Sequence, residues 1–88
     1  MKRYSNKEIH EIVIGIFAQA LGVEQQSLSP LTAYNSHTGW DSLRQLEIVS
    51  NLEQALNINL TIDDMIEMDT IKKTEEVVTR RLSRQNNP

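Results

Sequence analysis

Apolar residues recur at helical spacing in three segments of this 88-residue chain, and no other feature constrains its fold so strongly. In the first segment, Ser5 is followed three residues later by Glu8, a pairing that predicts a capping box at a helix N-terminus. Gly22 predicts the end of this helix, because glycine readily adopts the left-handed conformation that closes helices. The apolar stripe between them consists of Ile9, Ile12, Val13, Ile16, Phe17, Ala20 and Leu21.

The second segment predicts a helix from about Ser42 to Leu56, and Thr70 is expected to cap a last helix that contains the third segment. The apolar arc of the second helix comprises Leu46, Ile48, Val49, Leu52, Ala55 and Leu56. The stripe of the last helix comprises Ile71, Thr74, Val78 and Leu82, with Val77 near its border. Both helices therefore have one face suited to burial in a shared core.

A short helix is predicted between these two segments. Thr61 is followed three residues later by Asp64, which indicates a second capped N-terminus and a helix over residues 62–67. We expect Met65 or Ile66 to turn inward from it.

Residues 23–40 form a long connection that is rich in Ser, Thr, Asn and Pro, as loops are. We expect Leu28 and Leu31 to anchor this loop on the helices, and Trp40 to pack over it as a lid. Loops of this length usually carry function or stay mobile, and this one leads directly to a candidate site.

These patterns predict an all-α fold: a small four-helix bundle of three longer helices and one short helix, with a long loop between the first and second helices. Residues 1–88 are expected to form a single domain, since a chain of this length holds one hydrophobic core. The core would span about residues 5–83, and residues 84–88 would form a frayed tail.

Charge and composition exclude several classes of function. The net charge of -3 argues against a nucleic-acid surface, which needs clustered Lys and Arg. The absence of cysteine excludes disulfides, thiolate metal sites and an intrinsic thiol nucleophile. His10 has no second ligand at helical spacing, so we expect a surface histidine and no metal site. Without a leader or a membrane-spanning apolar run, we expect a cytoplasmic monomer that does not insert into membranes.

The most informative motif is the stretch Gly39-Trp40-Asp41-Ser42-Leu43 at the start of the second helix. Asp41 is a preferred N-cap residue, which places Ser42 in the first turn with its hydroxyl at the helix mouth. A phosphate attached to Ser42 would lie in the favourable field of the helix N-terminus.

An enzymatic use of Ser42 would require a base and an oxyanion site that converge on its hydroxyl. His37 lies five residues earlier and could be read as the base, but no third residue that would orient it can be identified. Asp41 cannot orient a histidine while it caps the helix. We therefore expect that the chain is not an enzyme and has no catalytic residues.

The motif and the Leu- and Glu-bearing helix that follows it resemble the acyl carrier protein family, and the resemblance covers about residues 9–82. It implies that Ser42 receives 4′-phosphopantetheine from coenzyme A through a phosphopantetheinyl transferase, which makes the chain a phosphoprotein. The terminal thiol of that group would carry an acyl intermediate as a thioester. Implied partners are an acyl-loading ligase or acyltransferase and downstream biosynthetic enzymes, which would dock on Leu43, Glu47 and Arg44.

Departures from the family pattern favour a specialised pathway. Carriers of central fatty-acid synthesis often have a carboxylate where this chain has Arg44, and a small residue where it has Trp40. The Gly-Gly-x-Ser turn of peptidyl carriers is absent, so an aminoacyl or peptidyl cargo is a less favoured alternative. A further alternative is that the chain is an unmodified helical protein-interaction module. Because the pattern places Leu46 on the core side below Ser42, a tethered apolar chain could insert between the helices.

Overall fold

A computed structural model describes residues 3–36 and 39–85 of the chain. The helices are α1 (Asn6–Leu21), α2 (Ser42–Leu56), α3 (Ile62–Glu67) and α4 (Ile71–Gln85), and a single 3₁₀ turn lies at Gln25–Ser27. The prediction of an all-α bundle with three longer helices and one short helix is confirmed. His37 lies outside the described residues, and so do residues 86–88 of the predicted tail. Helix α4 itself continues to Gln85.

The predicted caps are present at the ends of these helices. The hydroxyl of Ser5 accepts a hydrogen bond from the Glu8 N–H at 3.1 Å, and the Glu8 carboxylate accepts one from the Ser5 N–H at 2.9 Å. Helix α1 ends at Gly22, which has a φ of +66°. Thr61 and Asp64 form the same reciprocal pair at α3. Local capping residues therefore determine where these helices begin and end.

The core lies where α1 packs against α2 and α4. Its largest fully buried side chains include Trp40, Phe17, Ile48, Leu52 and Met68. Trp40 is fully buried: its ring meets that of Phe17 edge-on with the centroids 4.6 Å apart, and it also packs edge-on against Tyr34 of the long loop, with the centroids 6.1 Å apart. The candidate motif is thus anchored in the core directly before Ser42.

The long loop is held mainly by its backbone. Leu28 packs partly buried against the core as predicted, but Leu31 is 78% exposed, so its prediction as an anchor is wrong. Instead, the carbonyls of Pro30 and Thr32 accept hydrogen bonds from the first N–H groups of α4, at 3.0 and 3.1 Å. A side-chain pattern cannot reveal such an anchor, because the N–H groups at a helix start take whichever acceptor the fold supplies.

Helix α3 lies against α4. Met65 is partly buried and Ile66 is 71% exposed, so Met65 is the residue that turns inward. Among the described residues, no helix is long and apolar enough to cross a membrane.

Candidate functional site

Ser42 is the first residue of α2, and it is exposed. Asp41 caps the helix in the predicted way: its carboxylate accepts a hydrogen bond from the Arg44 N–H at 2.9 Å, and its carbonyl accepts one from the Gln45 N–H at 2.9 Å. These bonds leave the N–H groups of Ser42 and Leu43 without an acceptor inside the helix. An anion on the Ser42 hydroxyl would therefore meet free backbone donors and the positive end of the helix dipole.

The residues just before the serine are held rigidly. Gly39 has a φ of +83°, a conformation that favours glycine and turns the chain toward α2. The carbonyl of Trp40 accepts a hydrogen bond from the Asn35 N–H at 2.6 Å, which links the motif back to the loop. With the indole ring of Trp40 fully buried, the position of Asp41 and Ser42 is fixed from the core outward.

A buried glutamine connects the motif to α3. Gln45 lies one turn after Ser42, and its side-chain oxygen accepts a hydrogen bond from the indole N–H of Trp40 at 2.6 Å. Its amide nitrogen donates to the carbonyls of Met65 and Met68 at 3.1 and 3.2 Å. One side chain thus joins the loop, α2 and the end of α3.

An apolar groove opens beside Ser42, between α2 and α3. Its volume is about 420 Å³, and Ser42, Leu46, Ile62 and Ile66 contribute to its lining. Leu46 is 58% exposed, so its predicted placement on the core side is wrong. Helix α2 packs mainly against α1, and Leu46 lines the groove toward α3 instead of the core.

The three predicted docking residues lie on the outer surface of α2. Leu43 is 65% exposed, directly beside the serine. The side chains of Arg44 and Glu47 are partly exposed, and they form an ion pair with a nitrogen–oxygen distance of 3.6 Å. The structure therefore brings Ser42, Leu43, Arg44 and Glu47 together on one accessible surface, and an exposed ion pair of this kind contributes little to stability.

Helix α3, which forms the far wall of the groove, is tied to α4 by ion pairs. The Arg81 guanidinium donates to the Asp64 carboxylate at 2.7 Å, and Arg80 forms two hydrogen bonds with Glu67 at 2.9 and 3.2 Å. Burial raises the pKa of Asp64, but the bonds from Arg81 and Thr61 outweigh it and hold the pKa below its ordinary value. The hydrogen bond from Arg80 lowers the pKa of Glu67.

Of the two histidines, the structure describes His10, which does not line the groove beside Ser42. His10 is exposed on α1, as expected, and its Nδ1 lies 3.0 Å from the Glu75 carboxylate of α4. Within residues 3–36 and 39–85, no group of three or more His, Cys, Asp or Glu side chains could hold a metal ion.

Besides Leu46, three residues around the site were not placed correctly by the sequence patterns. Gln45 is buried, and its position on the same helical stripe as Ile48, Val49 and Leu52 is the signal in the sequence that indicates this. Ile62 and Ile66 are exposed on α3, and no pattern within six residues shows which side faces a groove. The site is thus more apolar than the sequence suggested.

Comparisons with known proteins agree with this geometry. The family model described as "Phosphopantetheine attachment site" matches residues 11–78. The acyl carrier protein of Chlorobium phaeobacteroides (strain DSM 266 / SMG 266 / 2430) is 22% identical over 74 residues, which cover 84% of this chain and 95% of that protein. The acyl carrier protein of Guillardia theta is 24% identical over 79 residues, covering 90% and 98% respectively.

Proposed function

Since the chain belongs to the family of phosphopantetheine attachment domains, we propose that it is an acyl carrier protein with 4′-phosphopantetheine attached to Ser42. The observation that carries the proposal is an exposed hydroxyl in the first turn of α2, next to backbone N–H groups that have no acceptor inside the helix. When bound, the group supplies a terminal thiol that holds an acyl intermediate as a thioester.

The residues around Ser42 are suited to holding the phosphodiester. Asp41 accepts the hydrogen bonds of the Arg44 and Gln45 N–H groups. The N–H groups of Ser42 and Leu43 are therefore available to donate hydrogen bonds to the phosphate oxygens. The helix dipole favours the negative charge at this point and disfavours it at the other end of α2. Because Trp40 is buried, the attachment point is presented from a fixed base, and only the tethered arm moves.

In this proposal the chain acts as a tether for the acyl cargo and performs no chemistry on it. A tether raises the effective concentration of the acyl group near a partner's active site without any new contact. We place the docking surface for the phosphopantetheinyl transferase, the loading ligase or acyltransferase and the downstream enzymes on Leu43, Arg44 and Glu47. Support for this placement comes from the exposure of Leu43 beside the serine and from the charges of Arg44, the next residue, and Glu47, about one turn after it.

The proposal is tested by intact mass after incubation of the purified chain with coenzyme A, Mg²⁺ and a broad-specificity phosphopantetheinyl transferase. We expect one addition with the mass of phosphopantetheine, absent in Ser42→Ala. Ser50→Ala removes another exposed hydroxyl from α2 and is the matched control, which should load like the wild type. A folded wild-type chain that gains no mass would instead favour an unmodified helical interaction module.

A further inference from the structure

Residues 58–68, here called the α3 segment, lie between two buried ends. Ile58 is 3% exposed and Met68 is fully buried, so both ends of the segment are fixed in the hydrophobic core. Within residues 59–67 the only buried side chain is that of Asp64, and the apolar side chains are at most partly buried. The middle of the α3 segment is therefore held in place mainly through a carboxylate.

The Asp64 carboxylate is paired with two arginines of α4. The Arg81 guanidinium donates a hydrogen bond to one of its oxygens at 2.7 Å, and a nitrogen of Arg80 lies 3.6 Å from the other. Arg80 also forms two hydrogen bonds with Glu67, one turn further along α3. Among the described residues, no buried side-chain nitrogen or oxygen lacks a hydrogen bond, so Asp64 is fully paired in this position.

This buried ion pair would respond sharply to the loss of one partner. A buried charge whose partner is removed is strongly unfavourable, because nothing compensates it. Arg80 would compensate Asp64 only in part, since it is farther away and is already bonded to Glu67. Without Arg81, the Asp64 carboxylate would therefore move out toward water and take the start of α3 with it.

A second tie holds the α3 segment closer to its C-terminal end. The Gln45 amide of α2 donates hydrogen bonds to the carbonyls of Met65 and Met68. Asp64 thus holds the first half of α3, and Ile62 in that half lines the groove beside Ser42. A movement of this half about the fixed C-terminal end would change the width of the groove.

We propose that Arg81, supported by Arg80, is a positioning residue that holds the α3 segment through Asp64 and thereby sets the width of the groove beside Ser42. Loss of the charge at Arg81 releases the start of α3 from α4, while the core of α1, α2 and α4 stays in place. The groove is thus under electrostatic control from α4, a helix that does not line it. The inference concerns the unmodified chain, so it does not depend on the loading of Ser42.

Spin labels on the two walls of the groove test this inference. The chain has no cysteine, so Leu46→Cys together with Ile62→Cys places one label on each wall and nowhere else. Electron paramagnetic resonance then measures the distance between the labels. We expect a single narrow distance with the native Arg81 and a longer, broader distribution with Arg81→Gln. Arg81→Lys keeps the charge and should remain close to the native distance.

Two controls accompany this measurement. Arg84→Gln removes an exposed charge from the same helix and should leave the distance across the groove unchanged. Labels at Glu11→Cys on α1 and Glu76→Cys on α4, two exposed positions on core helices, should keep one distance in every background. A reference distance that changes together with the groove distance would mean general unfolding and would overturn the inference.

A second substitution separates positioning from a general loss of contacts. Asp64→Asn in the Arg81→Gln background removes the buried charge, so we expect the groove distance to return toward its native value. If Arg81 contributed only contacts, the double variant would be at least as open as Arg81→Gln alone.

A native groove distance in folded Arg81→Gln, or a double variant as open as the single one, would overturn the inference. Arg80→Gln removes only the longer contact to Asp64 and should widen the distribution less. It decides the question if Arg81→Gln does not fold, since an unchanged distance in Arg80→Gln would then contradict the proposal. Failure of Ser42 to accept phosphopantetheine would bear on the proposed function alone.

Discussion

The indole N–H of Trp40 donates a hydrogen bond of 2.6 Å to the side-chain oxygen of Gln45, joining the residue two positions before Ser42 to the residue three positions after it. The bond crosses the start of α2 on its buried side. The outer side of the same turn presents the serine hydroxyl. The attachment motif is therefore held from within by a polar contact that leaves its outer surface free for partners.

Gln45→Ala should destabilise the fold. The change leaves the Trp40 N–H and the carbonyls of Met65 and Met68 without their partner, at a cost of about 2 kcal/mol or more. For a domain of this size, such a loss lowers the melting temperature by roughly 10 °C. The melting temperature is measured by thermal unfolding that is monitored by circular dichroism, with Gln54→Ala as the control. Equal melting temperatures for the two variants would show that the buried bonds contribute nothing.

Acid should loosen helix α3 before it unfolds the rest of the chain. The pKa values of Asp64 and Glu67 are lowered in the folded state, so their contribution is fully present above about pH 5 and is lost as the pH falls through the folded pKa values. Urea unfolding between pH 7 and pH 2 measures this loss. A stability that stays constant below pH 4 would contradict the assignment.

Asp64→Asn should cost about 2 kcal/mol at pH 7, because the charged hydrogen bond to Arg81 is lost. The difference from wild type should shrink as the pH falls, since the wild-type carboxyl is then protonated as well. Asp63→Asn, on the exposed side of the same helix, should change stability by less than about 0.5 kcal/mol. If the two substitutions changed stability equally, the ion pair between Asp64 and Arg81 would not be the cause of the loss.

Leu43→Glu should slow modification and acyl transfer by about tenfold or more, while stability changes by less than about 0.5 kcal/mol. The reason is that Leu43 is largely exposed and therefore available to partners, and contributes little to the core. Initial rates with a phosphopantetheinyl transferase measure the effect. Leu31→Glu, at an exposed leucine outside α2, is the control. A wild-type rate for Leu43→Glu would exclude Leu43 from the docking surface.

Glu47→Lys should reduce the association rate with the transferase several-fold and should make that rate less sensitive to salt. Reversing this charge also breaks the exposed ion pair with Arg44, which is expected to change stability by less than about 1 kcal/mol. Glu11→Lys makes the same change of two charge units at an exposed glutamate of α1, so the comparison separates the effect of net charge from the effect of position. If both variants associate equally fast, Glu47 has no specific role.

Local sequence signals predicted the helix starts and the position of the serine. Ser5, Asp41 and Thr61 each act on N–H groups within three residues, so the sequence around them is sufficient. The sequence around Gly22 is likewise sufficient to predict the C-terminus of α1, because the left-handed backbone conformation of this glycine ends the helix.

Features that depend on distant residues could not be predicted in the same way. The hydrogen-bond partners of Gln45 come from the loop and from residues 20 and 23 positions later, and a helical pattern, which can indicate burial, contains no information about those partners. Leu46 is apolar and yet exposed, because it lines the groove toward α3 instead of the core. The groove beside Ser42 is therefore a property of the packing.

Fragmentation of the loaded chain by tandem mass spectrometry tests the central claim most directly. After loading from coenzyme A, we expect a single phosphopantetheine on the peptide that contains Ser42, with fragment ions that place it on the serine oxygen. Attachment to any other residue, or a folded chain that carries no phosphopantetheine at all, would contradict the assignment of Ser42 as the carrier site.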